Sequence, residues 1–191
     1  MTAARKDSSG GWVKVWDPVV RVFHWGLAAA VALALLSDES RGLHEAAGYV
    51  ALGLILLRIA WGFVGPTHAR FSSFVRPPAA VAAYLIDMLH RRARRYVGHN
   101  PARGAMIATL MALVATAAGS GWLSETDRFF GVAWVEDLHR ASANGLIVLV
   151  AVHVIGVVAS SLLHGENLVR AMVTGRKPAT AGEDDRPAGG I

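Results

Sequence analysis

Four apolar stretches, each close to the length of a membrane span, constrain this chain of 191 residues more than any other feature. They cover residues 19–36, 44–64, 103–123 and 138–163. An α-helix needs about 20 apolar residues to cross about 30 Å of hydrocarbon, and in lipid a helix pairs its own backbone groups. A soluble domain of this size could not bury a composition that is 53% hydrophobic. The sequence therefore predicts an all-α integral membrane protein, a four-helix bundle.

The charges of the connections alternate along the chain. Basic residues crowd the segment before the first stretch, the connection between the second and third, and the tail; they are Arg5, Lys6, Lys14, Arg21, Arg70, Arg76, Arg91, Arg92, Arg94, Arg95, Arg103, Arg170, Arg176, Lys177 and Arg186. The other two connections are acidic. Lys and Arg accumulate on the cytoplasmic side of membrane proteins, so we expect both termini in the cytoplasm. The net charge of +5 then reflects topology, and we expect no nucleic-acid partner.

The long basic connection is itself patterned. Pro77 and Pro78 open a stretch to Tyr96 with apolar residues at helical spacing and four arginines near its end. This pattern is typical of an interfacial amphipathic helix on anionic headgroups; a docking site for a cytoplasmic partner is the alternative.

The apolar stretches and the charges together divide the chain into a cytoplasmic N-terminal segment (1–18), a transmembrane domain (19–165) and a cytoplasmic, partly disordered tail (166–191).

Histidines are the main candidates for chemistry. The chain has no cysteine, which excludes thiolate-bound clusters and covalently attached c-type haem. Four of its eight histidines lie in or at the ends of the apolar stretches: His24, His44, His139 and His153. An ionisable group at membrane depth is costly, so each is expected to face the bundle interior, although a single histidine can also bond a neighbouring helix structurally.

The spacing of these histidines separates the two interpretations. His139 and His153 are fourteen residues apart on the fourth stretch, which puts them on one helix face and about 21 Å apart along the axis. With both termini inside, His139 is outer and His153 inner. By the same orientation His24 is inner and His44 is outer. Depth therefore pairs His24 with His153 and His44 with His139, and two such pairs are difficult to explain structurally.

Two imidazoles at one depth suit a haem iron in a bundle core. We thus expect two non-covalent haem b groups, an inner one on His24 and His153 and an outer one on His44 and His139. Small residues follow the outer ligands by four positions, at Gly48 and Ala143, although such residues also permit close helix packing. A di-iron site from Glu136 and His139 would need a second such pair and further glutamates.

Three further residues are weaker candidates for cofactor binding. His99, in the segment that leads into the third stretch, could pair a haem propionate or deliver protons, or could simply cap the helix. Arg21 and Arg58 lie near the inner face and could neutralise propionates, although snorkelling to headgroups is an equal alternative. His68, His90 and His164 carry no comparable signal.

Several motifs together resemble the bacterial cytochrome b561 family, which includes the cytochrome b subunits of nickel–iron hydrogenases. The resemblance rests on residues 16–25 (WDPVVRVFHW), on Leu43-His44-Glu45, on Gly98-His99-Asn100-Pro101 and on the fourteen-residue spacing of His139 and His153. It covers residues 12 to 175. It implies a di-haem b cytochrome of the bacterial inner membrane, with ubiquinone or menaquinone as substrate.

The resemblance also implies a function. It suggests electron relay between the quinone pool and a periplasmic redox partner, a dehydrogenase or a c-type cytochrome, with contact to membrane lipid and with homodimer formation left open. One alternative is an enzyme, a superoxide oxidase that passes electrons from superoxide to quinone. Another is a membrane anchor for a partner, with haem secondary.

Overall fold

The computed structural model of the chain describes residues 12–14, 16–37, 39–66, 69–90, 92, 101–165 and 167–178. Four long helices dominate: α1 (Pro18–Leu36), α2 (Arg41–Val64), α5 (Pro101–Ser124) and α6 (Ala133–His164). The short helices α3 (Phe71–Phe74) and α4 (Pro78–Leu89) lie between α2 and α5, and α7 (Leu168–Thr174) follows α6. Two three-residue strands, β1 (Trp12–Lys14) and β2 (Arg176–Pro178), pair antiparallel.

Each of the four long helices is long and apolar enough to cross a membrane. Their outward side chains are large and apolar, such as Leu36 (86% exposed) and Leu162 (79% exposed). A soluble protein would bury such residues, whereas lipid is a good solvent for them. The prediction of an all-α membrane bundle with four spanning helices is confirmed.

The helices begin and end where local chemistry allows. α1 begins at Pro18, whose missing N–H costs nothing at the first helical position, and the Asp17 carboxylate caps it by accepting the Val19 N–H at 2.6 Å. α6 ends at Gly165, which adopts a left-handed conformation (φ 62°). α6 also begins five residues before the predicted apolar stretch, at Ala133, because the carboxylates of Glu136 and Asp137 separate its first three residues from that stretch.

The core between the helices is made mostly of small and medium side chains. Its buried residues are Phe23, Ala30, Ala51, Ile55, Met111, Val114, Ala117 and Leu146. Small residues let helix backbones approach closely, which in lipid replaces the hydrophobic effect as the source of association. The packing follows the order of the chain: α1 packs on α2, α2 on α5, and α5 on α6.

α6 does not pack along α1 or α2 within the described parts of the chain. It nevertheless carries His139 and His153, which face histidines of α2 and α1. We call this open boundary between α6 and the α1–α2 pair the seam. Because closely packed helices lie 8–10 Å apart, a seam without such packing leaves room between its walls.

Two elements bear on the extramembrane predictions. α4 occupies the first part of the stretch predicted as an interfacial helix, and it packs on α5; residues 91 and 93–100, which complete that stretch, lie outside the described residues. Its placement on a membrane surface stays a prediction. The first part of the tail forms α7 and β2, and the disorder expected after Pro178 stays a prediction. The remaining residues, 179–191, lie outside the description.

Candidate functional site

One end of the seam, which the expected orientation makes the outer end, holds His44 of α2 and His139 of α6. The centres of their rings are 5.9 Å apart and the ring planes are inclined by 74°. Both side chains are partly buried. The first turn of α2 and the second turn of α6 therefore present two imidazoles to one another across the seam.

A backbone carbonyl fixes each outer ring. Nδ1 of His44 lies 2.9 Å from the Ala34 carbonyl oxygen, and Nδ1 of His139 lies 2.8 Å from the Ala117 carbonyl oxygen. A carbonyl can only accept a hydrogen bond, so each Nδ1 carries the proton and donates it. Nε2 of each ring is then the nitrogen with the free lone pair. Such a second contact is how metal-binding histidines are usually oriented.

Both acceptors are available for clear reasons. Ala34 lies in the last turn of α1, where carbonyls have no partner within the helix. Ala117 lies in the middle of α5, but the residue four positions later is Gly121, which leaves the carbonyl accessible. A Cβ at Gly121 would lie 3.2 Å from both Nδ1 and Cε1 of His139. The glycine thus gives the ring the space it needs to reach the carbonyl.

The inner end of the seam holds His24 of α1 and His153 of α6. Their ring centres are 6.4 Å apart and their planes are inclined by 51°. The Trp25 ring meets His24 edge to face at 5.1 Å, which restricts the imidazole from one side. Nδ1 of His24 is buried and has no hydrogen-bond partner among the described residues.

Arg58 is a buried cation on α2 near the inner pair. It follows His44 by fourteen residues, so it lies on the same face about 21 Å deeper. Its guanidinium lies 5.3–6.0 Å from the ring centres of Phe23, Phe71 and Phe74. One NH2 group donates to the Ala69 carbonyl at 3.0 Å, whereas NH1 is buried without a partner among the described residues.

The other candidates are placed differently. Arg21 of α1 donates to the Val173 carbonyl of α7 and lines a surface groove. His90 is exposed at the end of α4. His99 and His68 lie outside the described residues, as does the side chain of His164.

The spacing of each pair matches the separation of two imidazoles on one metal. A histidine nitrogen binds a first-row metal at about 2.0–2.1 Å, so two imidazoles on opposite sides of it have ring centres about 6 Å apart. In the described part of the chain, no three His, Asp or Glu side chains gather as a metal site would require. A haem fits such a pair, because its porphyrin supplies four nitrogens and only the two axial ones are needed from the protein.

Several residues of this site were not identified from the sequence. Gly121 and the carbonyls of Ala34 and Ala117 had no signal, because every residue carries a carbonyl and this chain has 20 glycines. The aromatic rings around Arg58 had a weak signal in the sequence. Phe71 and Phe74 are three residues apart, a spacing that places both on one side of a helical turn.

The comparisons with known proteins agree on one family. The family model of prokaryotic cytochrome b561 matches residues 15–175. A probable Ni/Fe-hydrogenase B-type cytochrome subunit of Azotobacter vinelandii is 28% identical, over 92% of this chain and 91% of the relative. Proteins with the same description from Bradyrhizobium diazoefficiens and Cupriavidus necator are 26% and 29% identical, over 86% and 84% of this chain and 85% of each relative. The chain therefore belongs to the prokaryotic cytochrome b561 family and is a multi-pass b-type cytochrome of the bacterial membrane, an electron-transport protein.

Proposed function

We propose that this chain is a di-haem cytochrome b that relays electrons between the membrane quinone pool and a redox partner on the periplasmic side. His44 and His139 would hold the outer haem, and His24 and His153 the inner one. Haem b, when bound, supplies one-electron redox chemistry at each level. The protein supplies the axial nitrogens, their orientation and a site shielded from water.

The outer pair carries the proposal. Both Nδ1 protons are donated to helix carbonyls, so both Nε2 atoms are acceptors. Two acceptors whose ring centres lie 5.9 Å apart cannot hydrogen-bond to one another. A metal that accepts both lone pairs resolves the conflict. The inner pair supports the same role through its spacing of 6.4 Å.

Arg58 is the better placed of the two arginines to hold a haem propionate. It is buried at the depth of the inner pair, and its NH1 group has a donor to offer. A guanidinium and a carboxylate form a strong charge-assisted hydrogen bond. Arg21 lines a surface groove beside Val173 of α7, which leaves it the weaker candidate.

The relatives suggest the kind of partner. Their description as hydrogenase cytochrome subunits favours a dehydrogenase, and in particular a hydrogenase, over a soluble c-type cytochrome. We expect it to dock on the outer face, where the positive-inside rule places the acidic connections. Ubiquinone or menaquinone would exchange electrons within the membrane.

The charges of the outer face argue against the superoxide oxidase alternative. Arg41 forms ion pairs of 2.6 Å with both Glu45 and Glu125, and Arg140 pairs with Asp137 at 3.2 Å. The two acidic connections contain three arginines, Arg41, Arg128 and Arg140, and two of them are therefore paired with neighbouring carboxylates. An enzyme for an anionic substrate benefits from a positive entrance, and this surface offers little of one.

Purified protein tests the proposal directly. A pyridine haemochrome assay should give two haem b per chain, the absorbance spectrum of the native protein should show both as low-spin, and a short-chain quinol should reduce them. His90→Ala, which alters an exposed histidine outside the seam, serves as the control and should keep both. One haem per chain would contradict the di-haem assignment. A folded protein without haem would favour the anchor alternative.

A further inference from the structure

A groove of about 630 Å³ opens on the surface of α1 next to α7. It is lined by Arg21, Val22, Trp25, Gly26 and Val173. Four of these five residues are apolar, and Val22 and Val173 are 73% and 52% exposed. The groove therefore has an apolar floor and one cation, and it lies on the exposed side of a membrane-spanning helix.

The cation is held in place by the chain segment that ends α7. Arg21 donates through NH2 to the Val173 carbonyl. Gly175, in the left-handed region with φ 78°, lies against it: a Cβ at Gly175 would lie 3.1 Å from Arg21 NH1. Trp16 N–H donates to the Gly175 carbonyl at 3.2 Å, which ties the chain before α1 to the same turn. These contacts restrict the guanidinium, so less freedom is lost when a ligand binds.

The position of Arg21 along α1 sets the depth of the groove. Arg21 is the fourth residue of a membrane-spanning helix that begins at Pro18, about 5 Å from its start, so it lies at the end of the span that adjoins the headgroups. None of the carboxylates among the described residues forms an ion pair with it. An arginine at the end of a spanning helix reaches the headgroup layer with its guanidinium, where anionic groups are available to pair with it.

We propose that this groove binds one anionic phospholipid. Its phosphate accepts hydrogen bonds from the Arg21 guanidinium, whose fork of donors suits phosphate oxygens. Its acyl chain lies along Val22, Trp25 and Val173. Arg170 and Arg176, which are exposed and three residues before and after Val173 in the chain, add to the positive potential that attracts anionic headgroups. The proposal does not depend on the haem assignment.

Charge distinguishes this occupant from a quinone, which could also fill an apolar groove. A quinone is neutral, so its binding should depend little on the charge of Arg21. An anionic lipid should depend on it strongly, because the guanidinium is the cation that lines the groove.

Native mass spectrometry of the full-length protein in detergent, titrated with dioleoylphosphatidylglycerol or dioleoylphosphatidylcholine, tests the proposal. The wild type should retain one phosphatidylglycerol at least tenfold more readily than phosphatidylcholine. Arg21→Gln should lose that preference, and Arg21→Lys should keep part of it. Arg76→Gln, which removes an exposed arginine far along the chain from the groove, should behave as the wild type.

A second variant keeps the test informative if Arg21→Gln does not fold. Val22→Trp fills the groove from an exposed position and should reduce retention of the lipid while the charge remains. Retention of phosphatidylglycerol that is equal in the wild type and Arg21→Gln would overturn the proposal. So would its displacement by a neutral quinone analogue to the same extent in both proteins, or by inorganic phosphate at millimolar concentration.

Discussion

At the scale of single residues, the outer site is defined by how two imidazoles are held. Each Nδ1 proton is committed to a carbonyl of a different helix, α1 for His44 and α5 for His139. Contacts with these two carbonyls, rather than contacts between the two histidines, therefore decide which nitrogen of each ring keeps a free lone pair. A change to one of these contacts should alter the outer site without touching a ligand.

The two pairs predict how single histidine variants behave. His24→Ala or His153→Ala should remove the inner haem, and His44→Ala or His139→Ala the outer one, because six-coordinate iron needs both axial ligands. Low-temperature optical spectra of the four variants check this. The two members of a pair should lose the same absorbance band. Unequal losses within one pair would show that the pairing is wrong.

Gly121 predicts a graded effect on the outer haem. Gly121→Ala puts a Cβ 3.2 Å from Nδ1 and Cε1 of His139, so the ring must move by a few tenths of an ångström and its bond to Ala117 weakens. We expect a shifted outer-haem midpoint potential and a loss of about 1–3 kcal/mol in stability, as for other overpacked sites. Gly119→Ala, at a position where a Cβ meets nothing within 4 Å, is the matched control. Identical behaviour of the two variants would refute the role of Gly121.

At the scale of elements, the four-residue helix α3 has a larger effect than its length suggests. Its Phe71 and Phe74 rings cover the Arg58 guanidinium, and Phe74 is 1% exposed. Gly62 of α2 and Gly104 of α5 make this possible, because a Cβ at either would overlap α3. The element thus closes the inner side of the bundle over a charge that would otherwise meet lipid or water.

The enclosure of Arg58 predicts its electrostatic effect. Removing a buried cation near a haem stabilises the oxidised, more positive state, so Arg58→Gln should lower the inner-haem midpoint potential. Arg58→Lys keeps the charge but not the guanidinium geometry and should restore part of the shift. Potentiometric titration followed at the inner-haem band measures both. An unchanged potential in Arg58→Gln would remove this residue from the site.

At the scale of the whole molecule, orientation follows from where the arginines and lysines lie. We expect both termini in the cytoplasm. A periplasm-active reporter fused after Ile191 should be silent, and a cytoplasm-active reporter at the same position should be active. The reverse result would exchange the inner and outer faces of the protein, and the face on which the partner is proposed to dock would then be cytoplasmic.

The outer face also predicts how a partner reaches the protein. Its two connections, residues 38–45 and 125–140, carry seven acidic residues and three arginines, a net charge of −4. A basic partner should be steered to this face, and electron transfer should slow as salt rises because the Debye length falls below about 10 Å above 0.1 M. Neutralising Glu136 and Asp137, both exposed, should slow it further at low salt. If these neutralised variants instead transfer electrons to the partner at the wild-type rate and consume superoxide faster, the superoxide oxidase alternative is favoured.

Much of this protein is determined by its sequence alone. Run length predicts the four spans because lipid leaves helix as the only state for a single segment. The depth of each histidine is predictable because a helix advances about 1.5 Å and 100° per residue. The spacing of two residues along one helix therefore gives their separation along the axis and the angle between them. The expected ligand pairs follow from this helix geometry and from the expected orientation of the chain in the membrane.

The tertiary structure decided what depends on contacts between distant segments. The carbonyl partners of His44 and His139, the space that Gly121 leaves and the Phe cage of Arg58 all join atoms far apart in the chain. The β1–β2 pair was likewise unpredicted, because each strand has only three residues and its pairing partner lies more than 160 residues away. No periodicity within a segment encodes such contacts, since they arise only when whole helices pack and bring particular backbone groups within bonding distance.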